Sequence, residues 1–209
     1  MRKFYHQVFD TVEEAVAFVD QEYKNFPIAA GTFSTMNHLG RRRRTWLSKL
    51  LALGYNYTAG VLEAAQFGVP QTRPRWFALF HRDRQPALPR GSRPVRTVRE
   101  AIDFNLPAQP IEGRARPLCA AQMARIGAGR SAGLTQFLTL YYKSGPQFQS
   151  LDRPCRTITT LDRFGLVDGD RYRILQPKEL LAIMGFPADY RLVGNRREQV
   201  HQLGNAVAP

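Results

Sequence analysis

The chain has 209 residues, 44% of them apolar, enough for one ordinary domain or a large and a small one. Its two cysteines form neither a disulfide framework nor a four-ligand zinc set, no apolar run reaches membrane-span length, and the opening MRKFYHQVFDTVEEAV lacks a signal-peptide core, so a reducing, cytoplasmic setting is expected. The net charge of +13 is concentrated: residues 41–99 carry 13 Lys/Arg against Glu63 and Asp83, a net +11, which predicts a polyanionic partner, nucleic acid or an acidic protein before a membrane surface.

In chain order, Thr11-Val12-Glu13-Glu14 is a capping box ahead of Ala15, Val16, Phe18 and Val19 and predicts a helix over about 12–24. A loop with Pro27, Gly31, Gly40 and Arg41–Arg44 feeds a second helix. Trp46, Leu47, Leu50 and Leu51 share one face of that helix, and Gly54 stops it. Tyr55–Ala64 and Trp76–Phe80 read as adjacent strands around a loop that holds Gly68, Pro70 and Pro74. Residues 82–96 are rich in Pro and Arg and read as irregular. Thr97 and Glu100 form another capping box for a short helix. Residues from about 104 to 150 read as a small second lobe, with a helix near 117–126 and an apolar stretch Phe137–Tyr142. Pro177 stands at a first helical position before Leu180, Leu181, Ile183 and Met184, and Gly185 closes that helix.

The loop GVPQTRPRWF, residues 68–77, places Arg73 and Arg75 two positions apart. Two permanent cations so close repel unless an anion or a carbonyl-rich ligand sits between them. The plain alternative is a solvated turn with surface arginines.

Three segments then follow in order: YTAGVLEAAQFGVPQTRPRWF at 57–77, SLDRPCRTITT at 150–160, and FPADY at 186–190 followed by QLGNAVAP at 202–209. Together they resemble the Q-x-R-x-R, R-P-x-x-T-I and G-N-x-V blocks of the C-terminal half of DNA cytosine-5 methyltransferases, over roughly residues 45–209. The resemblance implies an α/β fold, the C-terminal part of a Rossmann-like S-adenosylmethionine-dependent methyltransferase with a small target-recognition lobe. It divides the chain into an unassigned helix and basic loop (1–44), the end of the catalytic sheet (45–104), the recognition lobe (105–152) and a return segment (153–209). It also implies double-stranded DNA as substrate, with the target cytosine turned out of the stack.

By the same resemblance, Gln71, Arg73 and Arg75 form the catalytic block. Arg75 is assigned the contact to cytosine O2, where charge grows as C6 is attacked. Arg73 is assigned the flipped nucleotide's phosphate or a structural ion pair, and Gln71 the orientation of loop or base. Spacing alone leaves the two arginine roles exchangeable. Arg153, Thr157 and Thr159 of the second block organise the lobe or touch DNA phosphate. Asn205, Ala206 and Val207 of the last block close over S-adenosylmethionine.

The family's Pro-Cys-Gln nucleophile and Glu-Asn-Val carboxylate do not occur among the 209 residues. Pro154-Cys155 belongs to the second block, and Cys119 reads as helix filler. The expectation is therefore a partial methyltransferase, inactive alone. It is read as a split subunit with a second polypeptide carrying the N-terminal blocks, or as a truncated gene product. A non-catalytic basic DNA-binding module is the alternative.

Overall fold

The computed structural model describes residues 47–209; the predicted 12–24 helix and the Arg41–Arg44 loop lie outside them. The described residues belong to two compact units, one holding those up to Gly60 with Trp76–Pro89, the other Val61–Arg75 with Arg90–Pro209.

In the first unit residues 47–52 are helical, with Leu47 and Leu50 buried. Gly54 takes the left-handed conformation, φ 79°, that a side chain resists, and its N–H reaches Leu51 O. Strand β1 (Asn56–Glu63) and strand β2 (Pro74–His81) form a two-stranded ribbon whose residues belong partly to each unit. The Ala64 N–H meets Arg73 O at one end and the Asn56 amide meets Arg82 O at the other, so the strands are antiparallel. Val61 and Leu79 stay exposed on it.

The second unit is organised by a five-stranded antiparallel sheet of order β3-β7-β6-β4-β5. Its strands are β3 (Gln109–Pro110), β4 (Gln136–Leu140), β5 (Phe148–Ser150), β6 (Phe164–Asp168) and β7 (Arg171–Ile174). Phe137–Leu140 is buried on both faces, which is why its apolar residues do not alternate with exposed polar ones; Thr139, its polar member, donates its hydroxyl to Gly165 O. Phe137, Val167 and Tyr172 pack with Ile126 of helix α1 (Ala120–Ser131). Leu138, Leu140 and Leu166 face a larger core with Leu151, Ile158, Leu180, Ile183 and Leu203.

Helix α2 (Pro177–Ile183) starts with the expected proline, and Gly185 ends it at φ 77°. Thr97–Glu100 caps a single 3-10 turn, Val98–Ala101, rather than an α-helix. Helix α3 (Arg196–Asn205) closes the chain. The sheet draws on both sides of residue 152: β6 and β7 come from the segment read as a return to the catalytic domain, yet they pair with β4 of the lobe.

The second unit also buries a bidentate ion pair. Arg173 Nη1 and Nη2 lie 2.6 and 2.7 Å from the Glu179 carboxylate. The same carboxylate accepts from the N–H groups of Asp103 and Gln176, and Arg173 donates to Asp103 O. With these extra bonds the pair is satisfied, which is the condition for an ion pair to survive burial.

Candidate functional site

The site is built on the β1–β2 loop within the second unit. Glu63 ends β1, a 3-10 turn follows over Ala64–Phe67, and Gly68 turns the chain at φ 81°. Glu63 Oε1 accepts from the N–H groups of Ala65 and Arg73 and clamps the loop across its mouth. Residues 70–72 then run alongside 155–157. Cys155 N–H donates to Pro70 O at 2.9 Å, Thr72 N–H to Cys155 O at 2.7 Å, and Thr157 Oγ1 to Thr72 O at 2.8 Å. Gln71 and Cys155 thereby form a parallel bridge.

Burial alternates along the loop. Gln71 and Arg73 are buried at 0% and 2% exposure, whereas Thr72 and Pro74 face solvent, as an extended chain requires. The Arg73 guanidinium meets three carbonyl oxygens: Nη1 donates to Ile158 O at 2.7 Å, and Nη2 to Gly204 O at 2.8 Å and Ala206 O at 2.7 Å. This one side chain ties all three sequence blocks together. Burial, and then the charge of Arg75, lower its pKa to about 10. Its Nε and both polar atoms of the Gln71 amide are buried with no partner among the described residues.

Arg75 is half-buried, and its one hydrogen bond among the described residues is from Nη1 to the carbonyl of Pro74, 2.8 Å away. Burial lowers its pKa, and the Glu63 carboxylate works against that shift.

Residues 204–206 form the C-terminal end of α3. Gly204 is required there, because a Cβ would lie 2.3 Å from the backbone of Thr159 and Thr160. Asn205 is exposed with its amide 3.2 Å from His201 Nδ1, and Ala206 and Val207 are half-buried.

A family profile for C-5 cytosine-specific DNA methylases matches residues 33–113 and 122–209. The chain belongs to that family. Among curated relatives, it is 29% identical over 192 residues to the type II methyltransferase M.AplI of Arthrospira platensis, covering 85% of this chain and 52% of that protein. It is 28% identical over 178 residues to the type II methyltransferase M.BsuFI of Bacillus subtilis, covering 82% and 41%. The chain thus spans about half the length of the curated relatives it matches. The methyltransferase EhMeth of Entamoeba histolytica aligns with TM-score 0.50 and 15% identity over 78% of this chain and 52% of that one. A DNMT2 mutant of Spodoptera frugiperda aligns with TM-score 0.52 and 17% identity, over 80% and 58%. These two place the chain within part of a methyltransferase fold.

The family match begins at residue 33, ahead of the expected residue 45. Of the Q-x-R-x-R block, Arg75 has the less occupied guanidinium: among the described residues it makes one hydrogen bond where Arg73 makes three. Arg73 meets carbonyls rather than a phosphate or a carboxylate, because its side chain folds inward between Ile158 and the 204–206 turn. Gln71, at 0% exposure, reaches no surface from which to orient a base. In the second block Thr157 Oγ1 is occupied by Thr72 O, and Thr159 Oγ1 donates locally to Leu161 O at 3.3 Å. Arg153 is exposed with a partnerless guanidinium among the described residues. Cys155 is fully buried and its thiol is pushed up by desolvation, the opposite of an activated nucleophile. Glu63 was missed by sequence reasoning. Its signal was available: a lone acid at a strand end, ten residues before Arg73 in a segment otherwise basic.

Proposed function

We propose that this chain is the part of a DNA cytosine-5 methyltransferase that supplies the substrate arginine, the DNA-recognition lobe and one wall of the cofactor site. The reaction moves a methyl group from S-adenosylmethionine to C5 of a cytosine turned out of duplex DNA. The observation that carries this reading is the Arg73 knot, which brings the Arg75 loop, the 153–160 block and the 204–206 turn to one place.

Attack on C6 drives negative charge toward O2 and N3 of the ring. A guanidinium already fixed near O2 stabilises charge that appears only during reaction, at no cost of reorganisation. Arg75 suits this role, since its loop is clamped by Glu63 and by the 155–157 segment and its remaining N–H groups have no hydrogen-bond acceptor among the described residues. Arg73 acts through Arg75 and the turn as a positioning residue. The exposed Asn205 amide and the half-buried Val207 fit one wall of a site that needs a polar contact and an apolar cover. S-adenosylmethionine, when bound there, supplies an electrophilic methyl group on sulfonium sulfur.

The nucleophile and the N3 carboxylate come from sequence outside these 209 residues, on a second polypeptide or on the same one. The test is transfer of labelled methyl groups to duplex DNA. The chain alone is expected to transfer none, and a protein carrying the Pro-Cys-Gln and Glu-Asn-Val blocks is expected to restore transfer. Transfer by the homogeneous chain would refute the assignment. In the restored enzyme Arg75→Ala is expected to lower kcat about 100- to 1000-fold.

A non-catalytic DNA-binding module is the second reading, favoured by the net +11 of residues 41–99. It requires salt-sensitive DNA binding that ignores both S-adenosylmethionine and the methylation state of the duplex.

A further inference from the structure

In the 153–160 block the Thr157 and Thr159 hydroxyls already donate to Thr72 O and Leu161 O, yet the block still presents cations. Beside it lies a groove of about 500 Å³ lined by Thr72, Phe148, Gln149, Ser150, Arg153 and Arg156 among others. Among the described residues two arginines and no carboxylate line it. The nearest acid in sequence, Asp152, is already held by Arg99, with Nε 2.7 Å from Oδ1.

The arginines stand on a closed loop. The Gln149 amide donates to Pro154 O at 2.8 Å, and its oxygen accepts from the Arg156 N–H at 3.3 Å. Residues 149–156 are therefore pinned across their own ends. The Arg156 guanidinium is centred 5.6 Å from the middle of the Tyr142 ring, where the ring face holds a cation. Its Nη2 also passes over Gly145, 3.9 Å from where a Cβ would stand. Arg156 is thus fixed in advance, while Arg153, three residues away, carries no partner at all among the described residues.

We infer that Arg153 and Arg156 form a backbone-phosphate clamp for duplex DNA, resting on the methyltransferase reading and adding to it a residue, Arg156, that the family blocks did not single out. Phosphate is the ligand that charge complementarity selects: the groove is cationic and carries no opposing acid. Since phosphates carry no sequence information, the clamp sets register and affinity rather than base preference.

The experiment is fluorescence-anisotropy titration of the full chain with two labelled duplexes, one of A·T pairs only and one of G·C pairs only, over a series of salt concentrations. Arg153→Gln and Arg156→Gln are each expected to lower the slope of log affinity against log salt by about one and to weaken binding to both duplexes alike. Arg156→Lys is expected to keep the slope. Arg191→Gln, an equal charge change at another exposed arginine, is expected to leave it unchanged. Loss confined to the G·C duplex would make the arginines base readers and overturn the clamp. An equal fall with Arg191→Gln would reduce the effect to net charge, and an equal fall with Arg156→Lys would reduce it to packing on Tyr142; either overturns the proposal. Unchanged slopes in both Gln variants, with the parent chain still binding, overturn the clamp alone. Absence of salt-dependent binding by the parent chain overturns the clamp and the DNA reading together.

Discussion

Gln71 is a buried amide whose nitrogen and oxygen both lack partners among the described residues, a state that costs about 1–3 kcal/mol. Gln71→Met keeps the length and removes the unpaired groups. It is expected to raise the urea midpoint of the isolated chain, by about 1 kcal/mol in unfolding free energy. Arg73 carries the opposite expectation. Arg73→Met strips three carbonyls, one buried and two part-buried, of their donor, and about 3 kcal/mol should be lost in the same measurement. Arg73→Lys should recover little, because an ammonium lacks the planar fork that reaches Ile158 and the 204–206 turn together. The cysteines divide cleanly: Cys119 is exposed and Cys155 is buried. Native protein should release one thiol equivalent rapidly to a disulfide reagent and the second only on unfolding. Two fast equivalents would contradict the buried placement.

At the scale of elements, α3 comes close to the 159–160 backbone, an approach that Gly204 permits. Gly204→Ala must push the helix end away, at a cost of about 1–3 kcal/mol, and should loosen the carbonyls that hold Arg73; thermal unfolding checks the first effect. In the buried pair, Glu179→Gln leaves Arg173 with an uncompensated charge and should cost about 3–5 kcal/mol, again read from the unfolding midpoint. Elements with local punctuation were legible in the sequence. Pro177 and Gly185 bracket α2, Gly54 ends the 47–52 helix, and the apolar run at 137–140 is a strand. Two missed elements had signals of the same kind. Gly169-Asp170, with Gly169 at φ 57°, is the two-residue turn of the β6–β7 hairpin, and Asn195 with Glu198 is the capping box of α3. What no local pattern encodes is which of two nearby arginines turns inward. That depends on carbonyls 85 to 133 residues away in sequence, and a motif records spacing, not the direction of a side chain.

Over the whole molecule, three buried acids share one sign. The Cys155 thiol and the Tyr142 and Tyr172 phenols are all pushed up, chiefly by desolvation. A folded-state value above the unfolded one means that the native protein keeps its proton longer. The contribution is intact below the unfolded values, 9.0 for the thiol and 10.0 for the phenols, and is lost as pH rises past them. The unfolding midpoint should therefore decline from about pH 9 upward, and Cys155→Ala should make the onset of that decline shallower.

The Arg73 knot also joins two places that different ligands would occupy. Its carbonyl partners lie in the 153–160 block on one side and in the 204–206 turn on the other. Settling either side by a bound molecule restricts the other through the shared cation, so cofactor and nucleic acid should be thermodynamically linked. Linkage is symmetric: the factor by which duplex tightens S-adenosylmethionine must equal the factor by which S-adenosylmethionine tightens duplex. Paired titrations on the restored enzyme measure both, and Arg73→Lys should bring them down together toward unity.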